Sequence, residues 1–519
     1  MNFESILYAD TGQETVKSEP AYFEDLRLDY LMGILERPVK EYAVQSHYYT
    51  LPATADLIRY RHEVFRDLSF PVLYEAVRRF CLQMQKSRRA RDLAGESREA
   101  VQAASYHLEA AAFYWEGLLA FSKELAGLEL ASEGMCGLRE YLEKHMAHLR
   151  KEGFEEALER ANEFFSRIRF RLVVDAENIT VEELTEEPDA GKEEEELVWD
   201  RDYLQELAEL LSLETEEEND YMEGIFPNVL EPSYLELTMI QILRKSNPEI
   251  FREIRGFHQK FPEFYADKIL RFEEEVQFYI SFLEFKKNTE NLGYSLHEPC
   301  LSQDNRFSGT GVYDLALVWK NAGRDYTVVA NDFCYPENPS FFVVTGPNQG
   351  GKTTFARSVA QGVYFSMMGL YVNADSFLFP WFDGISTHFE MEEKLQSNSG
   401  KLKDEIDRLA PMMHQDKRRQ FIVLNELFTT ATTHDALIMG KKVMQYFLMR
   451  NCYGIYVTHI QELAEETDAI ISLVAQIEPG EEDRRTYRML PMAAQGYGYS
   501  DSLVSRFELR YEDLIRRLP

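Results

Sequence analysis

The chain has 519 residues, 45% of them hydrophobic, and a formal net charge of −33 at pH 7. That length exceeds the roughly 100–200 residues of one domain and predicts two or more. No apolar run approaches the ~20 residues that cross a bilayer, so the expectation is a protein without membrane contact. So large an acidic excess excludes indiscriminate coating of nucleic acid, whose phosphates are held by Lys and Arg, and leaves only binding through a local basic patch.

The first residues, MNFESILYAD, lack the charged and apolar regions of a secretory signal. The five cysteines (Cys81, Cys136, Cys300, Cys334 and Cys452) show no paired metal spacing. Together these predict a cytoplasmic protein with reduced thiols.

Up to about residue 300 the sequence predicts helices. FPVLYEAVRRFCLQMQ, REAVQAASYHLEAAAFYWEGLLAFSKEL and FEEALERANEFFSRI have few breakers and carry charged faces. Arg78, Arg79, Lys86, Arg88, Arg89 and Arg91 fall on one such helix and its end. Two readings stay open for them: contact with a DNA backbone, or a solvated face that balances acidic charge. FRLVVDAENITVEEL predicts a short strand. An acidic segment from about Asp175 to Glu223 follows, opposed only by Lys192 and Arg201, and its composition predicts a solvated excursion. In RFEEEVQFYISFLEFKKN, the residues Phe272, Val276, Ile280 and Leu283 form a helical stripe suited to helix–helix packing.

After residue 300 the pattern changes to strand, helix and strand in alternation. SFFVVT, FIVL and YGIYVT are strand candidates; TTFARSVAQGVYFSMMG and ALIMGKKVMQYFLMR are helical. Alternation of this kind predicts a parallel sheet covered on both faces. Between the first strand and its helix lies GPNQGGKTT: Gly346, Pro347, Asn348, Gln349, Gly350, Gly351, Lys352, Thr353 and Thr354. It meets the G-x-x-x-x-G-K-[ST] pattern in the required context. Glycines let successive N–H groups and a helix N-terminus face a phosphate. Lys352 brings a cation to the β/γ oxygens, and the Thr353 hydroxyl can ligate Mg²⁺, so the cofactors expected are ATP and Mg²⁺. FIVLNELFTT, residues 421 to 430, ends a buried strand in Asn425 and Glu426, where a carboxylate can orient an attacking water. DKRRQ just before it predicts a surface turn.

These motifs resemble the MutS family of DNA mismatch-repair ATPases. TGPNQGGKTT is similar to the family's nucleotide loop, LNELFTTATTHDAL to its Walker B strand and following loop, with Thr433 and Asp435 in register, and THIQEL to its T-H-x-x-E-L. GYGYSDSLVSRFELRYEDLIRRL resembles its closing helix-turn-helix, which pairs subunits. The likeness is specific over about 340 to 510 and looser in the helical part, through DLIRYRHEVFRDL. It implies a multidomain fold: an α-helical core and lever region over 1–300 with an acidic insertion at about 175–223, then over 301–519 an α/β P-loop NTPase (ABC-like) domain with a mainly parallel sheet. It assigns Asn348 to the phosphates, Lys352 and Thr353 to phosphate and Mg²⁺, Glu426 to the attacking water and His459 to γ-phosphate sensing. The metal set expected is Thr353, Asn425 and Glu426. It also implies a homodimer with composite ATP sites, each completed in trans by a loop whose counterpart here is LQSNSGKLKDEI, with Ser397 and Ser399 as candidates.

Several departures bear on function. Asn425 stands where the family has Asp, which predicts weaker Mg²⁺ holding and slow hydrolysis. The family's adenine-stacking aromatic aligns with Val328, with Tyr326 as a substitute. The family's N-terminal mismatch-recognition and connector domains are not matched, and the FEE triplets at Phe154 and Phe272 sit in helical sequence, so direct mismatch reading is not expected. The expectation is an ATPase that couples nucleotide state to clamping on double-stranded or branched DNA. The alternative is an ATP-gated dimeric protein-interaction switch that does not bind DNA.

Overall fold

The computed structural model describes residues 3–9, 13–97, 100–166, 170–175, 178–183, 248–389, 401–414, 417–478, 481–494 and 515. The acidic stretch beyond residue 183, the two candidate serines Ser397 and Ser399, and the closing segment resembling a helix-turn-helix, residue 515 apart, lie outside the described residues. Packing divides the chain into two compact units, Met1–Thr11, Pro38–Tyr42 and Glu63–Gln277 in one, and Gly12–Arg37, Ala43–His62 and Phe278–Pro519 in the other. A single cut at residue 300 is therefore not where the packing separates.

In the first unit the helices Pro71–Glu96 and Ala100–Ala126 pack along one another. Pro71 opens its helix, where a missing N–H costs nothing. Ser132 caps Glu133–Lys151: its Oγ accepts from the Met135 N–H at 3.2 Å. Buried Asp67 in turn accepts from the Ser132 N–H at 2.9 Å and O–H at 2.6 Å. Phe80 stacks on Phe121 with centroids 4.6 Å apart, and Phe272 packs against both. Phe154 sits among Trp115, Phe257, Phe261 and Phe264. Both FEE phenylalanines are thus core residues, at 0% and 1% exposure. The predicted short strand is two: β1 (Phe170–Asp175) and β2 (Asn178–Glu183) pair antiparallel.

Among the described residues the second unit holds two sheets. β3 (Cys300–Leu301), β4 (Phe307–Val312), β5 (Asn331–Tyr335) and β7 (Ser376–Phe379) form one, in the order β3-β7-β4-β5. The larger sheet takes β6 (Phe341–Thr345), β8 (Ile385–His388), β9 (Phe421–Asn425), β10 (Tyr453–Val457), β11 (Ile470–Glu478) and β12 (Glu481–Pro491), in the order β12-β11-β6-β10-β9-β8. Five strands run parallel and only β12 is antiparallel to its neighbour. β6 and β10 are buried at every position, as strands covered on both faces must be. Phe341, Val343, Ile422, Leu424 and Tyr456 pack with residues of the helices Lys401–His414 and Thr433–Met449. The helix Lys352–Met368, buried at most of its positions, packs on β9 and β10.

The early segments join this unit through specific buried polar contacts. Arg61 is fully buried, and its guanidinium donates to the Met368 carbonyl at 3.0 Å. The Gln361 amide donates to the Leu26 carbonyl at 2.9 Å, and Thr387 donates to Asp25 at 2.6 Å. Side-chain pairing over more than 300 residues leaves no local periodicity, which is why the sequence placed these segments with the first domain.

Candidate active site

Register brings the predicted residues to one edge of the larger sheet. Val344 of β6 and Asn425 of β9 both pair with Val457 of β10. The chain beyond each strand, Gly346 onward, Glu426 onward and Thr458 onward, therefore emerges side by side at the carboxyl end of a parallel sheet, where such sheets bind ligands. A cleft of about 360 Å³ opens there, lined by Asn348 through Phe355, Glu426, His459, Tyr326, Val328 and Tyr487 among others.

The glycine loop follows from backbone limits. Gly346 has φ 123°, and a Cβ there would lie 2.9 Å from that of Ala475 on β11. Gly351 has φ 86°, and a Cβ would meet the Tyr487 ring at 3.3 Å. Lys352 is 6% exposed, and its ammonium donates to the Gly346 and Pro347 carbonyls at 3.0 and 3.1 Å. Burial lowers its pKa, Glu426 opposes that, and the positive charge of Arg485 adds to it. A buried ammonium held by two carbonyls, at the N-terminus of a 17-residue helix, suits an incoming polyanion.

Thr353 donates its hydroxyl to Asn425 Oδ1 at 3.0 Å. Two cis ligands of an octahedral Mg²⁺ at about 2.1 Å are themselves about 3 Å apart, so this oxygen pair fits the ion. The amide fills the acceptor role without contributing negative charge. Next along the chain, Glu426 adopts φ 54°, its N–H donating to the Val457 carbonyl at 2.9 Å. A non-glycine residue held in this region stores strain, a pattern found at functional sites. His459 Nε2 lies 3.0 Å from Glu426 Oε1. Burial first, and the nearby Lys352 charge second, lower the His459 pKa.

Thr432 caps the following helix: its Oγ accepts from the Asp435 N–H at 3.2 Å and donates to the Asp435 carboxylate at 2.7 Å. Thr458 is buried, and its Oγ accepts from the Ile460 N–H at 3.0 Å, turning the chain after His459.

β12 supplies residues that the sequence did not single out. Ile477 pairs with Arg485 but Ala475 with Met489, so β12 carries two extra residues in a bulge. Tyr487, at φ 58°, is the strained residue of that bulge and lies over Gly351. Asn331 pins it: its amide donates to the Tyr487 carbonyl at 3.1 Å, and its Oδ1 accepts from the Met489 N–H at 2.8 Å. Tyr326, half-exposed, and Tyr487 both line the cleft, while Val328 is buried. The alternation in RTYR hints at a strand, but nothing local says that its bulge folds over a loop 140 residues earlier.

The basic helix in the first unit is mostly engaged. Arg88 lies 2.7 Å from fully buried Glu273 and donates to Tyr42 at 2.9 Å. Arg79 pairs with Glu124 at 2.9 Å, Arg78 with Glu75 at 3.5 Å, and Arg91 sits over the Tyr265 ring. The reading as a solvated face thus fails at Arg88, and the charge available to DNA phosphates is reduced.

Residues 342–496 match the family model described as MutS domain V. The chain is 30% identical over 155 residues to a DNA mismatch repair protein MutS from Pseudothermotoga lettingae, a stretch covering 29% of this chain and 19% of that protein. It is 31% identical over 137 residues to the DNA mismatch repair protein MSH4 of Arabidopsis thaliana, covering 26% and 17%. Against an Endonuclease MutS2 from Thermus thermophilus the identity is 25% over 191 residues, covering 36% and 25%. The chain thus spans a quarter or less of the length of these relatives. No helix of the described residues is long and apolar enough to cross a membrane.

Proposed function

Because this chain belongs to the MutS family, through its domain V at 342–496, we propose that it is a Mg²⁺-dependent ATPase whose nucleotide state governs clamping on duplex or branched DNA. The observation that carries this reading is the convergence of Lys352, Thr353 with Asn425, and Glu426 with His459 on one cleft. In this proposal Lys352 exchanges its two carbonyl acceptors for β/γ-phosphate oxygens. The loop N–H groups from Asn348 to Thr354 cradle the same phosphates. Glu426 accepts a hydrogen bond from the attacking water and polarises it, and His459, released from Glu426, donates to the γ-phosphate. Thr353 and Asn425 would hold Mg²⁺, with Glu426 near it, and the ion would spread the charge of the triphosphate. Two copies would pair to complete each site, with Ser397 and Ser399 as the trans candidates.

Asn425 detunes the site. Asn425→Asp restores a charged ligand and is expected to raise Mg²⁺ affinity about tenfold, since ligand charge tunes affinity by decades. Titrating turnover with Mg²⁺ checks this; an unchanged midpoint counts against it.

A second reading has its own support. The ion pairs of Arg78, Arg79 and Arg88, with a net charge of −33, favour an ATP-gated protein-interaction switch that does not bind DNA. Steady-state turnover with Mg²⁺, titrated with plain, mismatched and branched duplexes at fixed moderate salt, separates the two. A rate that responds to DNA, with a response that weakens as salt rises, supports the clamp. A rate indifferent to every duplex supports the switch.

A further inference from the structure

Tyr326 and Tyr487 come from segments outside the loop motif, and both line the cleft, at 47% and 41% exposure. Among the described residues neither ring meets another aromatic ring and neither phenol is hydrogen-bonded, whereas Tyr335, Tyr364, Tyr453 and Tyr456 of the same unit are buried. Burial first and the nearby Tyr487 second raise the Tyr326 pKa, so the two phenols are within electrostatic reach of each other. Tyr487 is also held in place. It sits at φ 58°, with the Asn331 side chain bonded to its carbonyl and to the Met489 N–H, and its ring lies against Gly351. An aromatic face fixed at a cleft and left uncovered by the fold suits the stacking of a flat ring.

The lining around the two rings is otherwise apolar or already spent. Leu317, Val328 and Val329 carry no polar side-chain group, and Val328, where the family's ring aligns, is only 6% exposed. Asn331 uses both ends of its amide on β12. Asp314 accepts from the Leu317 N–H at 3.1 Å and the Gln361 amide at 3.2 Å and faces Arg357 at 3.6 Å. The Ser358 hydroxyl donates to the Phe355 carbonyl at 2.8 Å, and even the Val328 N–H is taken, by the Tyr294 phenol at 2.8 Å. A site separates two bases by large factors through hydrogen bonds that the wrong base leaves unmade, while stacking accepts any base. We propose that this cleft takes the base of its nucleotide by stacking on Tyr487 and Tyr326 without reading its edge, so that ATP and GTP are bound alike. The proposal rests on the reading of the cleft as a triphosphate site.

The test is equilibrium binding of ATP, GTP and inorganic tripolyphosphate, which has no base, to the full chain in excess Mg²⁺. The proteins compared are the wild type, Tyr487→Ala, Tyr487→Phe, Tyr326→Ala and Lys352→Ala. The wild type is expected to bind ATP and GTP within about tenfold of each other. Tyr487→Ala is expected to lose about 5- to 150-fold for both nucleotides, the worth of one stacked base, with tripolyphosphate unchanged. Tyr326→Ala should lower both nucleotide affinities together, and Tyr487→Phe, which keeps the ring, should bind as the wild type does. A wild-type preference for one nucleotide above about tenfold, or a ratio altered by Tyr487→Phe, shows that the edge is read and overturns the proposal. Loss of tripolyphosphate in Tyr487→Ala to the same extent as ATP makes the ring a support of the loop and also overturns it. Binding of ATP and tripolyphosphate unaffected by Lys352→Ala overturns the triphosphate-site reading and this proposal with it.

Discussion

Glu426→Gln is expected to lower ATP turnover by about 100- to 10,000-fold, the range for loss of a positioned acid–base group, with ATP affinity changed only a few-fold. The argument is geometric. Glu426 directly follows β9 in a left-handed conformation and is tied to β10 through its N–H, so its carboxylate is aimed by the sheet and not by a mobile loop. The side chain is only 17% exposed, and His459 Nε2 lies 3.0 Å from it, so its position is determined before any nucleotide arrives. Gln keeps the size and loses the charge that polarises water. Lys352 and the glycine loop are untouched, which is why binding should survive. Phosphate release and equilibrium binding, measured on the same preparation, check both halves. A loss of turnover under about tenfold removes Glu426 from the role assigned to it.

Arg88→Ala should destabilise the first unit by about 3–5 kcal/mol, since it leaves Glu273 buried without its cation. Glu273 is 0% exposed; Arg88 and Tyr42 hold the same oxygen, Tyr42 donating at 2.6 Å. Burial, opposed by Arg88, pushes the Glu273 pKa up to about 7 from its ordinary 4.5. The sign follows from linkage. Below pH 4.5 the carboxyl is protonated folded and unfolded, and it contributes its full stability. Between 4.5 and 7 the unfolded chain releases a proton that the folded one keeps, so stability falls by about 3 kcal/mol as pH rises, and the loss is complete above 7. The damage from Arg88→Ala should therefore be greatest near pH 8 and smallest near pH 5, and Glu273→Gln should reduce the wild-type slope over that window, the remainder coming from Glu275, which burial also raises to about 7. Melting temperatures at pH 5 and 8 decide it; a shift that is the same at both removes the titrating carboxylate from the explanation. The result also bears on function. Neutralising Arg88 to probe DNA binding would report unfolding instead, whereas Arg89 and Arg91 can be changed without exposing Glu273.

What the sequence determined by itself is the set of features written in neighbouring residues. SFFVVT, FIVL and YGIYVT are β6, β9 and β10, and the helices after Lys352 and Thr433 begin within a few residues of where the motifs place them. Burial on both faces makes such strands apolar throughout, and glycine at positive φ marks the loop, so both signals are local. Tertiary structure alone decided the rest. Tyr487 reaches the cleft because a bulge in β12 is pinned by Asn331, 156 residues earlier. Arg61, Gln361 and Asp25 hold the early segments in the α/β unit through contacts spanning more than 300 residues. Arg88 reads as a DNA contact or as solvated charge until Glu273, on a helix far along the chain, is folded against it. Hydrogen bonds and ion pairs between distant residues have no period and no spacing, so only the folded chain reveals which polar side chains are partners.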